Sequence, residues 1–142
     1  RFYTAQLRYG DDALAPPRLT GLFTLRQPDG RPFPSRLQAH REGPDAGEVP
    51  DPEAVRWLPG GASLLWTSEG DFARGYGPAL RESHADGAAA REYALTPAFQ
   101  PRPGGDSGPR ANATLEGLAL SPDGRTAWLA MEAAWRQDGP MP

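Results

Sequence analysis

One pattern is written twice in this chain, and it constrains the fold more than anything else in it. Glu53-Ala54-Val55-Arg56-Trp57-Leu58-Pro59-Gly60-Gly61, closed by Glu69, is matched by Glu116-Gly117-Leu118-Ala119-Leu120-Ser121-Pro122-Asp123-Gly124, closed by Glu132. Both stretches read E-x5-P-x-G-x7-E. Each has an apolar segment, a Pro-x-Gly turn, a second apolar segment containing Trp66 or Trp128, and a final Glu. Pro presets φ near −65° and Gly accepts the positive φ of tight turns, so each copy predicts a β-hairpin. Pro59 and Pro122 mark where the first strand of each must stop. The flanking Leu, Val, Trp and Ala fit a pleated, mostly buried surface.

Composition agrees with an all-β class. Gly and Pro number 17 each, a share close to that of unstructured segments. The apolar residues nevertheless come in short clusters such as Ala62-Ser63-Leu64-Leu65-Trp66-Thr67, set between turn formers, which is the pattern of many short strands. Two more strands are expected around Pro78 to His84 and Arg91 to Leu95, joined by Ala85-Asp86-Gly87-Ala88. Four strands between Glu53 and Leu95 make one propeller blade in size and count.

Thr96 to Ala111 then leads to the second hairpin as the start of a next blade. Phe2 to Tyr9 and Leu19 to Arg26, joined by Asp11 to Pro17, read as outer strands of a preceding one. Pro28 to Pro52 reads as a long polar loop. The expected architecture is a partial antiparallel β-propeller, one complete four-stranded blade plus parts of its two neighbours. A small antiparallel sandwich or open meander is the alternative. A single domain over residues 1–142 is expected to be incomplete at both ends, since the chain starts in mid-pattern at Arg1-Phe2-Tyr3 and stops at Met141-Pro142 without a terminal element. Its first partners would be the remaining blades of a parent chain.

The formal net charge is −3 and no like-charge block reaches five residues, which argues against nucleic acid as a partner. All 15 basic residues are Arg, a usage that GC-rich coding explains as well as function does. There is no Cys, hence no disulfide framework or thiolate metal site. No apolar run approaches the roughly 18 residues of a membrane span, and no signal peptide is visible in this segment.

The closing Glu of the repeat carries the chemistry. In an antiparallel hairpin the start of the first strand lies beside the end of the second, which brings Glu53 near Glu69 and Glu116 near Glu132. Inner strands of successive blades line one channel, so all four carboxylates can meet at its mouth. Clustered carboxylates repel unless a cation or proton intervenes, and hard oxygen ligands favour Ca²⁺, with Mg²⁺ possible. Glu53 and Glu69 are assigned to the metal, Glu116 and Glu132 to general acid–base catalysis on an ester or phosphoester. Arg110 and Asn112 are the expected substrate contacts, and the planar forks of Arg56 and Arg74 are further candidates for an oxyanion. These acids could instead pair with Arg or sit in solvent, in which case the domain is a noncatalytic binding module with at most a structural cation, or a segment inactive by itself.

Two other signals carry less. Gly105-Asp106-Ser107-Gly108-Pro109 imitates a serine-protease nucleophile loop but lacks the second Gly after Ser, and neither His40 nor His84 stands in a matching motif. With two isolated His residues, zinc has little support. Asn112-Ala113-Thr114 is a glycosylation sequon in form.

Asp51-Pro52-Glu53, Thr67-Ser68-Glu69-Gly70, and the run Asn112-Ala113-Thr114-Leu115-Glu116-Gly117-Leu118-Ala119-Leu120-Ser121-Pro122-Asp123-Gly124 followed by Glu132 resemble the phytase-like family with esterase-like activity. The second run is the specific one, with its Asn, Glu-Gly-Leu and Ser-Pro-Asp-Gly in the family's order. Thr114 stands where the family more often has Gly, and Leu115 where it more often has Phe. The resemblance implies a propeller hydrolase exported in bacteria, so an extracellular or periplasmic parent is expected, acting on a small-molecule ester or phosphoester.

Overall fold

The computed structural model describes residues 1–11, 13–102 and 104–140. The expected connections from Asp11 to Pro17 and from Thr96 to Ala111 each contain one residue outside that set, Asp12 and Pro103, and the terminal Met141 and Pro142 also lie outside it.

The described residues form eight strands: β1 (Phe2–Gln6), β2 (Arg18–Phe23), β3 (Pro52–Trp57), β4 (Ser63–Ser68), β5 (Ala79–His84), β6 (Ala89–Tyr93), β7 (Leu115–Leu120) and β8 (Ala127–Met131). All pairings are antiparallel, in a two-stranded sheet β1-β2, a four-stranded sheet β3-β4-β5-β6 and a two-stranded sheet β7-β8. Apart from one short helix and four 3₁₀ turns, the regular structure of the described residues is all β.

Both copies of the repeat are hairpins in the same register. Glu116 lies 63 positions after Glu53, and the pairs Pro52↔Ser68, Val55↔Trp66 and Arg56↔Leu65 recur at that offset as Leu115↔Met131, Leu118↔Leu129 and Ala119↔Trp128. The turns close alike, Gly61 N–H donating to Leu58 O and Gly124 N–H to Ser121 O. Gly61 at φ 70° and Gly124 at φ 68° occupy the left-handed region that only Gly adopts freely. In the second turn Ser121 Oγ also accepts from Thr126 N–H at 3.0 Å.

The segment from Pro28 to Pro52, expected to be a long polar loop, has regular structure of its own. It contains a helix, α1 (Arg36–Glu42), and a 3₁₀ turn at Gly43–Ala46. The cause is local: Ser35 Oγ accepts from Gln38 N–H while Gln38 Oε1 accepts from Ser35 N–H, a reciprocal capping box after Pro34. The far end is held from outside, because Arg74 donates to the carbonyls of Ala39 and Gly43, which supplies the partners a short helix lacks at its C-terminus.

The middle sheet is covered on both faces. Strand side chains alternate, so Leu64 and Trp66 face one way, packing with Leu25, Phe2 and Phe33, and Leu65 faces the other, packing with Leu80, Leu118 and Leu129. β7 lies against β3 and β4 on that second face. The two Trp of the repeat do not share a fate. Trp66 corresponds to Leu129, not to Trp128, and a one-residue step reverses the face. Trp66 is 2% exposed and Trp128 57%. Val55 and Trp57 are also exposed, so the mostly buried surface expected for both hairpins holds for β4 and not for the outward positions of β3 and β8.

Gly70 ends β4's excursion toward the site. Its φ is 92°, and a Cβ there would lie 2.5 Å from the carbonyl carbon and oxygen of Gly77. Gly70→Ala is therefore expected to destabilise the chain by about 1–3 kcal/mol, read from the midpoint of urea unfolding. An unchanged midpoint would show that this close approach does not matter.

Candidate functional site

The repeat's acids are set by a shared irregularity. The β3–β4 ladder shifts register between Pro52 and Val55, and the β7–β8 ladder between Leu115 and Gly117. Glu53 and Glu116 sit in these two bulges, where the extra residue leaves the ladder and re-aims its side chain. In the first hairpin the freed Ala54 N–H is taken by the buried Thr67 Oγ1 at 3.0 Å. In the second, Gly117 lets the strands close up, since a Cβ there would be 2.7 Å from Ala130 Cβ.

The closing acids differ. Glu69 is 3% exposed, while Glu132 is open to solvent. The reason is the next hairpin: Thr114 N–H donates to Glu69 Oε1 at 2.5 Å, and Thr114 Oγ1 donates to Glu69 O at 3.1 Å. Glu132 stands at the end of β8, its N–H donating to Thr114 O. Glu69 thus joins the two hairpins.

Around it the carboxylates form two overlapping triads, Asp51–Glu53–Glu69 and Glu69–Glu116–Glu132, and within each triad the oxygens lie within 4.8 Å of one another. The structure brings together all four acids of the repeat and adds Asp51, with Glu69 common to both groups. Comparison of the two repeat copies passes over Asp51 because its counterpart 63 positions on is Thr114. Its N–H donates to Ser68 Oγ at 3.1 Å and its O accepts from Glu69 N–H at 3.0 Å, so the backbone fixes it beside the triad. Arg36 Nη2 meets Asp51 Oδ2 at 3.0 Å.

One carboxylate oxygen from each member of a triad is close enough to the others to share a single hard cation, for which oxygen ligands are suited. The electrostatics have the matching sign. Burial first, and then the charges of Glu116, Asp51, Glu69 and Glu132, push the Glu53 carboxyl above the ordinary value of 4.5. Burial also raises Glu69, against the pull of the Thr114 N–H, with Glu116, Glu132 and Asp51 adding to the rise.

A folded-state pKa raised above the unfolded value means that the native state holds protons more tightly, so stability falls as pH rises through that window. Free of cation, the chain is expected to melt progressively lower as pH rises from 4.5 toward neutrality. With calcium the decline should flatten or reverse, since a cation favours the ionised carboxylates. Melting curves across this range, in chelator and in calcium, check both; identical curves would mean that the acids do not interact as their spacing implies.

The other expected contacts are placed as follows. Arg110 Nε donates to Ala134 O at 3.0 Å and its Nη2 to Gly139 O, so part of its guanidinium holds the C-terminal segment. Asn112 is exposed with φ 54°, an αL conformation that Asn adopts more readily than most residues. Arg56 is exposed with Nη1 on Val55 O, and Arg74 is committed to α1. Ser107 receives a hydrogen bond from Arg102 Nη1 at 3.3 Å. No helix among the described residues is long and apolar enough to cross a membrane.

A family model described as "Phytase-like: Esterase-like activity of phytase" matches residues 1–142. No curated protein and no solved structure matches the chain.

Proposed function

The chain belongs to the phytase-like family, and from that premise we propose that it is part of an exported β-propeller hydrolase that cleaves small-molecule esters or phosphoesters with a divalent cation. The observation that carries this reading is the pair of carboxylate triads meeting at the buried Glu69. On the propeller reading, β3 to β6 are one blade, β7-β8 the inner strands of the next and β1-β2 strands of the one before. The outward faces then await further blades. Trp128 on β8, and Tyr3 and Leu22 paired across β1-β2, are large apolar side chains open to solvent, which such neighbours would cover.

Asp51, Glu53 and Glu69 would hold the cation, most naturally Ca²⁺. When bound, it supplies positive charge that polarises the ester carbonyl or phosphoryl oxygen. Glu116 and Glu132, both exposed and grouped with Glu69, divide the proton transfers. One carboxylate takes a proton from the attacking water as its oxygen bonds to carbon or phosphorus. The other returns a proton to the leaving oxygen as the ester bond breaks. Asn112, and Arg110 with the nitrogens its backbone partners leave free, contact the substrate from the approach to β7.

Chromogenic carboxylester and phosphomonoester substrates, assayed with calcium and with chelator, test this. Glu116→Gln with Glu132→Gln is expected to lower kcat by about 10²-fold or more while calcium still raises the melting temperature. Activity unchanged in the double variant would end the catalytic assignment. The second reading, a noncatalytic binding module with a structural cation, is favoured by the way Glu69 ties Thr114 to its own hairpin. It predicts chelator-sensitive melting without turnover.

A further inference from the structure

A cleft of about 290 Å³ opens beside Asp51, under α1, bordered by Arg36, His40, Val49, Asp51, Gly70 and Arg74. Its base is built and electrically balanced. Arg74 donates to Gly43 O and Ala39 O and faces Asp71 Oδ2 at 3.4 Å, while Asp71 accepts from Val49 N–H at 3.2 Å. Those charges are spent on the walls. Arg36 and His40 are different. They lie four residues apart, one above the other on the same side of α1, and both border the cleft.

Arg36 stands at the boundary between cleft and carboxylates, with its side chain 81% exposed and Nη2 on Asp51. An ion pair this exposed is worth little, so the guanidinium can exchange Asp51 for another oxyanion at small cost. The incentive grows when Asp51 turns to a cation. A planar fork suits carboxylate or phosphate oxygens bidentately, and the His40 ring adds a donor one turn away.

We propose that this cleft is an oxyanion subsite, in which Arg36 and His40 receive a carboxylate or phosphate group of the substrate while its ester bond lies over the neighbouring acids. The inference rests on the hydrolytic reading of those acids and narrows it: the substrates are esters bearing an anionic group next to the scissile bond, or phosphoesters themselves.

The test separates the two readings by measuring binding without turnover. Inorganic phosphate and, separately, acetate are titrated into the full chain in chelator and again with Mg²⁺, followed by calorimetry and by the ring-proton resonances of His40. Phosphate or acetate should move those resonances, and the anion that binds more tightly identifies the group. Arg36→Ala with His40→Gln should weaken binding at least about tenfold. Arg41→Ala, on the same helix but outside the cleft, should leave it unchanged. Saturable binding without any hydrolysis would leave the subsite standing and remove the catalytic reading. Equal affinity in the double variant, or no response to either anion under both conditions, overturns the subsite.

Discussion

Glu69→Gln is expected to weaken calcium binding at least about tenfold and to remove the calcium-dependent rise in melting temperature. No other single substitution among the five acids should do as much. Glu69 belongs to both triads, and it is the one closing acid held rigidly, by the Thr114 N–H. Glu53, Glu116 and Glu132 are exposed and each belongs to one triad, so their Gln variants should cost less.

In chelator the sign changes. Burial and like charge disfavour the ionised Glu69, and a Gln oxygen can still accept from Thr114. The variant should therefore melt no lower than the parent without cation, and the gap should open only when calcium is added. Calorimetric titration and paired melting curves read both effects. Calcium affinity equal to the parent's would remove Glu69 from the site, and with it the idea that the triads share one centre.

Arg81→Met should produce the largest loss of stability, about 3–5 kcal/mol. Arg81 is on β5 and reaches two ways. Its Nη1 and Nη2 meet both carboxylate oxygens of Glu48 at 3.0 and 2.6 Å, and its Nε meets Glu92 at 2.6 Å. The guanidinium also lies against Phe33 and Trp66, 5.3 and 5.5 Å from their ring centres. Glu48 has 7% side-chain exposure, so removing Arg81 strands a charge away from water.

That stranded charge supplies most of the cost, which makes the prediction specific. Arg81→Met with Glu48→Leu should recover much of the loss, because replacing a buried ion pair by apolar side chains is often neutral. If the double variant were as unstable as Arg81→Met, lost packing on Phe33 and Trp66 would be the dominant cause. Glu48 also lies three residues before Asp51, so the single variant should loosen the segment that presents Asp51 and weaken calcium binding as a secondary effect. Urea unfolding of the four proteins in the cycle measures the coupling.

The hairpins were legible because their signals are local. Pro-x-Gly turns, apolar runs of strand length and the 63-residue repeat are properties of neighbouring residues, and the ladders follow them to the residue. Helix α1 carried an equally local signal in Ser35 and Gln38 that a reading tuned to strands passes over. Asp51 carried none. It enters the site through the Ser68 and Glu69 backbone contacts, and nothing in the spacing of Asp51, Pro52 and Glu53 announces them.

By itself the amino-acid order determined the strands, their turns and the proximity of each acid to its own partner, since all of these depend on residues within one hairpin. It could not decide which of two equivalent glutamates would be buried. Glu69 and Glu132 occupy the same place in the repeat, yet one is enclosed and one is open. The difference arises because β7 packs beside β4 and presents the Thr114 N–H to Glu69. Burial, and with it charge and affinity, belongs to whatever lies across from a side chain, which only the packing of one sheet on another supplies.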